Sequence, residues 1–296
     1  MTQQTNYDQE NDILRKGTLV CFSCSVWGET TKIRTKDILN TDAERDLIDN
    51  VKHKIDKAWL APLKKLRSRA REYLYNRAYT FPIPGFIFVP RGNITNIDEA
   101  MQSFAGEFDR LIDQFMLKYP EYIDEMRRRL GSLYNPLDYP SDLRSHFAFS
   151  WKFMNLSSES NTELLSPDVV RREEVSFRQM VDEFKDTAMT TLRTTFAEMV
   201  NRTVERLSGE KKIFRDTLIG NIREFVDGFA TMNINDDEEL AAAVDKCNRI
   251  LNGVSIDAIR SNEQLRHNIA NSMQAVQGQL AGMMIGAPIR KLRKVG

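Results

Sequence analysis

Apolar residues recur every three or four positions along most of the 296-residue chain, the period of helices with one buried face. One seam runs through Leu47, Val51, Ile55, Trp59, Leu63, Leu66, Ala70 and Leu74. With Thr41 or Asp42 as its cap, it predicts a helix to about Asn76. Pro62 lies inside it and either kinks the helix or starts a second one, because proline removes a donor and crowds the preceding turn. A second seam joins Ile97, Met101, Phe104, Phe108, Leu111, Phe115, Tyr119, Tyr122, Met126 and Leu130. It predicts a long helix, capped by Asn93 or Asn96, interrupted at Pro120 and closed at Gly131, with the pattern of a helical hairpin or coiled-coil partner. From Pro167 onward everything reads as helix. A long one carries Phe177, Val181, Phe184, Ala188, Leu192, Met199 and Leu207 to Gly209, and a second covers about 210–231. A third is capped within "NINDDEEL", and a last one opens at "GVSIDAIRSNEQL".

Three stretches break this period. "TLVCFSCSVW" (18–27) is β-like. "YTFPIPGFIFVP" (79–90) has no charge and three prolines, with Ile87–Val89 able to pair and prolines at its ends. In 146–154, Phe147, Phe149, Trp151 and Phe153 alternate with His146, Ala148, Ser150 and Lys152, giving one wholly aromatic face. Three such strands are unstable alone. Laid against the two long helices they form a small sheet, so the expected class is α+β, predominantly helical, followed by an all-helical region. The division read from composition is a flexible arm (1–16), an α+β domain (17–155), a linker (156–166), a helical region (167–288) and a basic tail (289–296).

Composition adds mainly exclusions. Basic and acidic residues number 42 each, which argues against a surface that is one continuous nucleic-acid track. No apolar run has the length of a membrane span, and the polar, acidic start resembles no signal or transit peptide, so a cytoplasmic protein is expected. Cys21 and Cys24 form a C-x-x-C on a strand, where positions three apart face opposite ways. With only Cys247 besides, neither a four-ligand zinc site nor a disulfide framework is expected. His53, His146 and His267 lie in three different elements. No glycine-rich phosphate loop or nucleophile elbow occurs, so no catalytic, cofactor or metal residues are assigned and the chain is read as non-enzymatic. Two basic clusters remain as contacts for nucleic acid or an acidic partner. One is Lys64, Lys65, Arg67, Arg69 and Arg71, interleaved with tyrosines; the other is Arg290, Lys291, Arg293 and Lys294 in the tail.

"KGTLVCFSCSVWGETTKIRTKDI", "LAPLKKLRSRAREYL" and "FPIPGFIFVP" resemble successive landmarks of a family of unknown function from phages, plasmids and integrative elements. The likeness rests on Ser25, Trp27, Lys32, Arg34, Leu60, Pro62, Leu63, Phe81, Gly85, Phe88, Val89 and Pro90, and covers about 14–155, extending toward 207. Genes of that family often neighbour MoxR-type AAA+ ATPases and von Willebrand factor A-domain proteins. The resemblance therefore implies an accessory or scaffold protein of a mobile element, in the bacterial host cytoplasm, with such proteins or itself as partners. A nucleic-acid-binding accessory protein and a phage structural or assembly subunit are the alternatives.

Overall fold

The computed structural model describes residues 13, 15–33, 50–155, 166–208 and 217–284. Strand β1 (Gly17–Ser25) is the axis of a four-stranded antiparallel sheet. On one side it pairs β5 (Phe86–Pro90), which in turn pairs β4 (Tyr79–Thr80); on the other it pairs β6 (Ala148–Met154). The register sets Cys21 against Phe86 and Lys152, and Phe22 against Trp151. The stretch read as one strand at 79–89 is thus two short strands. The reversal between them passes through Gly85, whose φ of 87° suits a residue without Cβ. Gly17 answers a different need: a Cβ there would lie 2.3 Å from the carbonyl oxygen of Val89 and 2.5 Å from the Phe88 ring. Gly17→Ala should therefore lower stability by about 1–3 kcal/mol, read as a shifted denaturant midpoint at unchanged slope.

Both sheet faces are used. Val20, Ile87 and Val89, with Phe149, Trp151 and Phe153 alongside, face α1 (Lys57–Tyr75) and α2 (Ile94–Leu130). Trp151 Nε1 also donates to Asp98 Oδ1 at 2.8 Å, tying β6 to the start of α2. Both helices run unbroken through their prolines. Fully buried Leu60 and Leu63 flank Pro62, while Tyr119 and Met126 flank Pro120, so packing on either side outweighs one lost donor.

The helix expected from residue 42 begins instead at Lys57, where the Asp56 carboxylate accepts from the Ala58 amide at 2.9 Å. The residues before it form β3 (Asn50–His53), paired with β2 (Thr30–Ile33) in a two-stranded ribbon. Val51, counted in the helical seam, is 51% exposed on that ribbon. Leu47 and the cap at 41–42 lie outside the described residues. The aromatic strand starts two residues later than expected, because His146 ends a 3-10 turn at Arg144–His146.

The sheet's other face meets α3 (Pro167–Ser208). Val181, Phe184 and Ala188 pack on Leu19, Tyr79, Phe81 and Phe88. Farther along, Leu192, Phe196, Val200, Val204 and Leu207 leave the sheet for a second core. That core is shared with α4 (Thr217–Met232), α5 (Glu238–Leu251), α6 (Ile256–Ser261) and α7 (Glu263–Met284). The last helix of the sequence reading is thus two, parted at Asn262, whose extended backbone and side chain reset the chain: its Oδ1 accepts from the Leu265 amide. One 42-residue helix therefore belongs to two cores. The segment read as a linker falls almost wholly outside the described residues.

Candidate functional site

The first basic cluster is divided by the helix that carries it. Arg69 points toward α2, where it pairs with Glu107 at 2.9 Å and lies over the Phe104 ring. Lys64 is on the opposite edge and pairs with Glu29. Arg67 and Arg71 share that edge, at the i, i+4 spacing, and neither has a carboxylate partner among the described residues. Lys65 is exposed. So the five cations form no common patch. Arg67 and Arg71 are the pair left to meet an outside anion. The tail residues Arg290, Lys291, Arg293 and Lys294 lie outside the described residues.

Cys24 sits beside those two arginines. Burial pushes its thiol up, and the charges of Arg67 and Arg71 offset only part of that. Cys21 and Cys24 do face opposite sides of β1, and both are free and half-buried. Cys247 is fully buried in the helical core, against Met273, and desolvation pushes its thiol up to about 12. A thiol reagent at pH 8 should label Cys21 and Cys24 first and reach Cys247 only when the helical core opens. Equal labelling rates at all three would contradict this packing.

A second polar cluster surrounds Trp27. Lys54 Nζ lies 4.6 Å from its ring centroid, and Tyr119 and Tyr139 pack against it at 6.1 and 6.3 Å. Burial lowers the Lys54 ammonium from its usual range, partly opposed by Asp138. Tyr139 is pushed up to about 12, mainly by desolvation, and its hydroxyl donates to the Lys54 carbonyl at 2.7 Å. Next to it Lys52 Nζ meets Asp138 Oδ2 at 2.7 Å and donates to the Leu133 carbonyl. The Asp138 oxygen is satisfied by charge, since no hydrogen bond of good geometry reaches it. These contacts join the ribbon to the residues that follow α2.

One open space lies at the junction of the two cores. A cleft of about 580 Å³ separates the end of α1 from α3 and α4. Leu192, Met199, Phe225 and Phe229 form its floor; Glu72, Tyr75, Arg77 and Glu224 stand on its rim. Arg77 stacks on the Tyr73 ring at 4.0 Å and reaches Glu224 at 3.3 Å across the cleft mouth. Glu72 has no cationic partner among the described residues. Met232, the last residue of α4, lines one wall, and the loop that follows it to Asp237 is held from both sides. The Tyr79 hydroxyl donates to the Met232 carbonyl at 2.5 Å, and Lys16 Nζ to that of Ile234 at 3.1 Å. Asn235 Nδ2 donates to the Lys185 carbonyl, and Asp236 takes a φ of 52°. Burial raises the Tyr79 phenol well above its usual range. An apolar floor with a charged rim between two packed units is the usual form of a ligand site.

Just behind the loop, Arg193 donates from Nε and Nη2 to the two carboxylate oxygens of Asp237 at 2.6 and 2.9 Å. Nη1 also reaches the Met283 carbonyl at 3.5 Å. Asp237 simultaneously caps α5 through the Leu240 amide. Burial alone would raise its pKa; the Arg193 and backbone hydrogen bonds outweigh that and hold it below the usual carboxylate range. Among the described residues no three His, Cys, Asp or Glu side chains gather to hold a metal, and no helix is long and apolar enough to cross a membrane.

A family model described as "Protein of unknown function (DUF3150)" matches residues 14–277. The chain belongs to the DUF3150 family. The DUF3150 match runs through both cores and the cleft between them, well past the reach to about 207 expected from the signature alone. No curated protein and no solved structure matches the chain. Of the residues that carried the resemblance, Trp27, Leu60 and Leu63 share one core. Phe81 and Phe88 pack under α3, and Val89 under α1. In this chain those six residues are a record of packing. The cleft and the Arg193–Asp237 pair escaped the sequence reading. Their one visible trace was the cap position in "NINDDEEL".

Proposed function

We propose that this DUF3150 protein is a non-enzymatic accessory protein, a scaffold of a phage or other mobile element. Its partners are taken to be a MoxR-type AAA+ ATPase and a von Willebrand factor A-domain protein. The observation that carries the scaffold reading is α3, one helix embedded in two cores, which fixes two surfaces relative to each other. Such a frame suits a protein that holds partners in register, and the ATPase partnership follows from the family resemblance alone. The test is co-expression of the tagged full chain with a MoxR-type AAA+ ATPase. Retention of the ATPase that survives washing supports the reading; a monomer that retains none removes the partnership.

A second reading, a nucleic-acid-binding accessory protein, is favoured by Arg67 and Arg71, which have no carboxylate partner among the described residues. It predicts DNA or RNA binding that weakens steeply with salt and is lost in the Arg67→Glu, Arg71→Glu variant, with Arg69→Glu contributing less because Arg69 already has Glu107. Binding that ignores salt, or none, removes it.

A further inference from the structure

We propose that the outer edge of β6 is a docking surface on which a second copy of this chain pairs, strand to strand, into one continuous sheet. This goes beyond the scaffold reading and does not depend on it. β6 bonds to β1 on one side, and among the described residues nothing pairs with its other side. The hydrogen-bond phase shows what that side offers. The Arg91 amide donates to the Lys16 carbonyl at 2.7 Å, so Lys16 and every second residue after it address β5, and those between address β6. The register then makes Cys21–Lys152 and Ser23–Ser150 bonded pairs, and the Met154 carbonyl, which accepts from Thr18 Oγ1, points the same way. The N–H and C=O groups of Phe149, Trp151 and Phe153 therefore point outward, where another strand can take them. The usual guards of an open edge are missing: the strand contains no proline, its pairing with β1 has no bulge, and its one charge, Lys152, stands on the exposed sheet face. Apolar surface is left uncovered there too. Phe149, Trp151 and Phe153 face the helix layer yet stay half-exposed, whereas Val20, one strand farther in, is 1% exposed. Symmetry names the occupant. The outward residues are centred on Trp151, so a twofold axis there sets Trp151 against its own copy and Phe149 against Phe153 of the second copy. That closes about six hydrogen bonds, two for each facing pair. On the other face Lys152 meets Ser150 and Met154 meets Ala148, so no like charges are opposed. At one bond per 100–200 Å², such an interface covers roughly 600–1,200 Å², below the standard size, so the dimer is reversible, with a Kd on the order of 10 μM.

The experiment is sedimentation equilibrium of the full chain across that concentration, where a monomer–dimer equilibrium is expected. Ser150 is exposed and belongs to neither core, so substitutions there read the edge rather than the fold. Ser150→Lys sets like charges against Lys152 at both symmetric pairs and should weaken the dimer about tenfold. Ser150→Glu sets opposite charges there and should tighten it about tenfold. The register is read separately, by mixing and oxidising one copy that carries Ala148→Cys with another that carries Met154→Cys. In the proposed pairing these positions face each other between hydrogen-bonded pairs, with Cα atoms about 4.5 Å apart, a spacing that suits a disulfide. A link between position 148 of one copy and position 154 of the other, mapped by mass spectrometry, is expected. A chain still monomeric at about a hundred times that concentration, a dimer that both charges at 150 move alike or not at all, or links that leave out this pair would each overturn the proposal.

Discussion

Replacing Arg193 with Met lowers stability by about 3–5 kcal/mol, the cost of leaving a buried carboxylate without its counter-charge. Asp237 cannot relax toward water: its side chain is only 3% exposed and is committed to the α5 cap. Urea unfolding of Arg193→Met against the parent measures the loss. Adding Asp237→Ser should recover most of it, since serine caps the helix without a charge. The pair also sets a pH dependence. Asp237 is held below its unfolded pKa, near 3.9. Its contribution is therefore fully present above that value and is lost as pH falls through the lower folded pKa. Arg193→Met should flatten that acid limb. An acid limb as steep as the parent's would show that other carboxylates carry it.

Phe184→Ala should cost a similar 3–5 kcal/mol, by loss of a buried ring and the cavity it leaves. Phe184 is wholly buried, and three rings converge on it: Tyr79 at 6.4 Å, Phe81 at 5.1 Å and Phe88 at 5.0 Å. These contacts fasten α3 to the sheet, so the damage should be asymmetric. Thiol labelling separates the two sides. Cys21, on the β1 face that α3 covers in part, should label faster, while Cys247 in the helical core keeps its protection. Acceleration of both together would mean that the two cores open as one unit.

The parts of the fold that could be read from sequence are those whose signal is local. Pro167 and the seam through Phe184 and Leu192 marked α3, and the alternation of Phe149, Trp151 and Phe153 marked β6. The ribbon of β2 and β3 was missed because Val51 and Ile55 stand at helical spacing, while Thr30–Ile33 carries little apolar pattern. The true start of α1 hung on one side chain, Asp56, which resembles any other acidic residue in that stretch. The cleft could not be read at all. Its walls come from positions 72–79, from Asn93, and from 191–199 and 221–232, and nothing local marks them as neighbours. Arg193 and Asp237 are 44 positions apart, and a salt bridge at that separation leaves no periodic trace.

The placing of β1 has a consequence for synthesis. It leaves the ribosome first among the strands, yet it is the sheet's axis, and β6 follows more than a hundred residues later. At about 5–20 residues per second, that is a wait of roughly ten seconds. Phe184, which covers the opposite face, is later still. Throughout that interval Leu19, Val20 and Phe22 have no finished core to enter. The nascent chain must be kept from pairing elsewhere until α3 has emerged, so the dependence of its yield on chaperones should fall on the first half of the sequence.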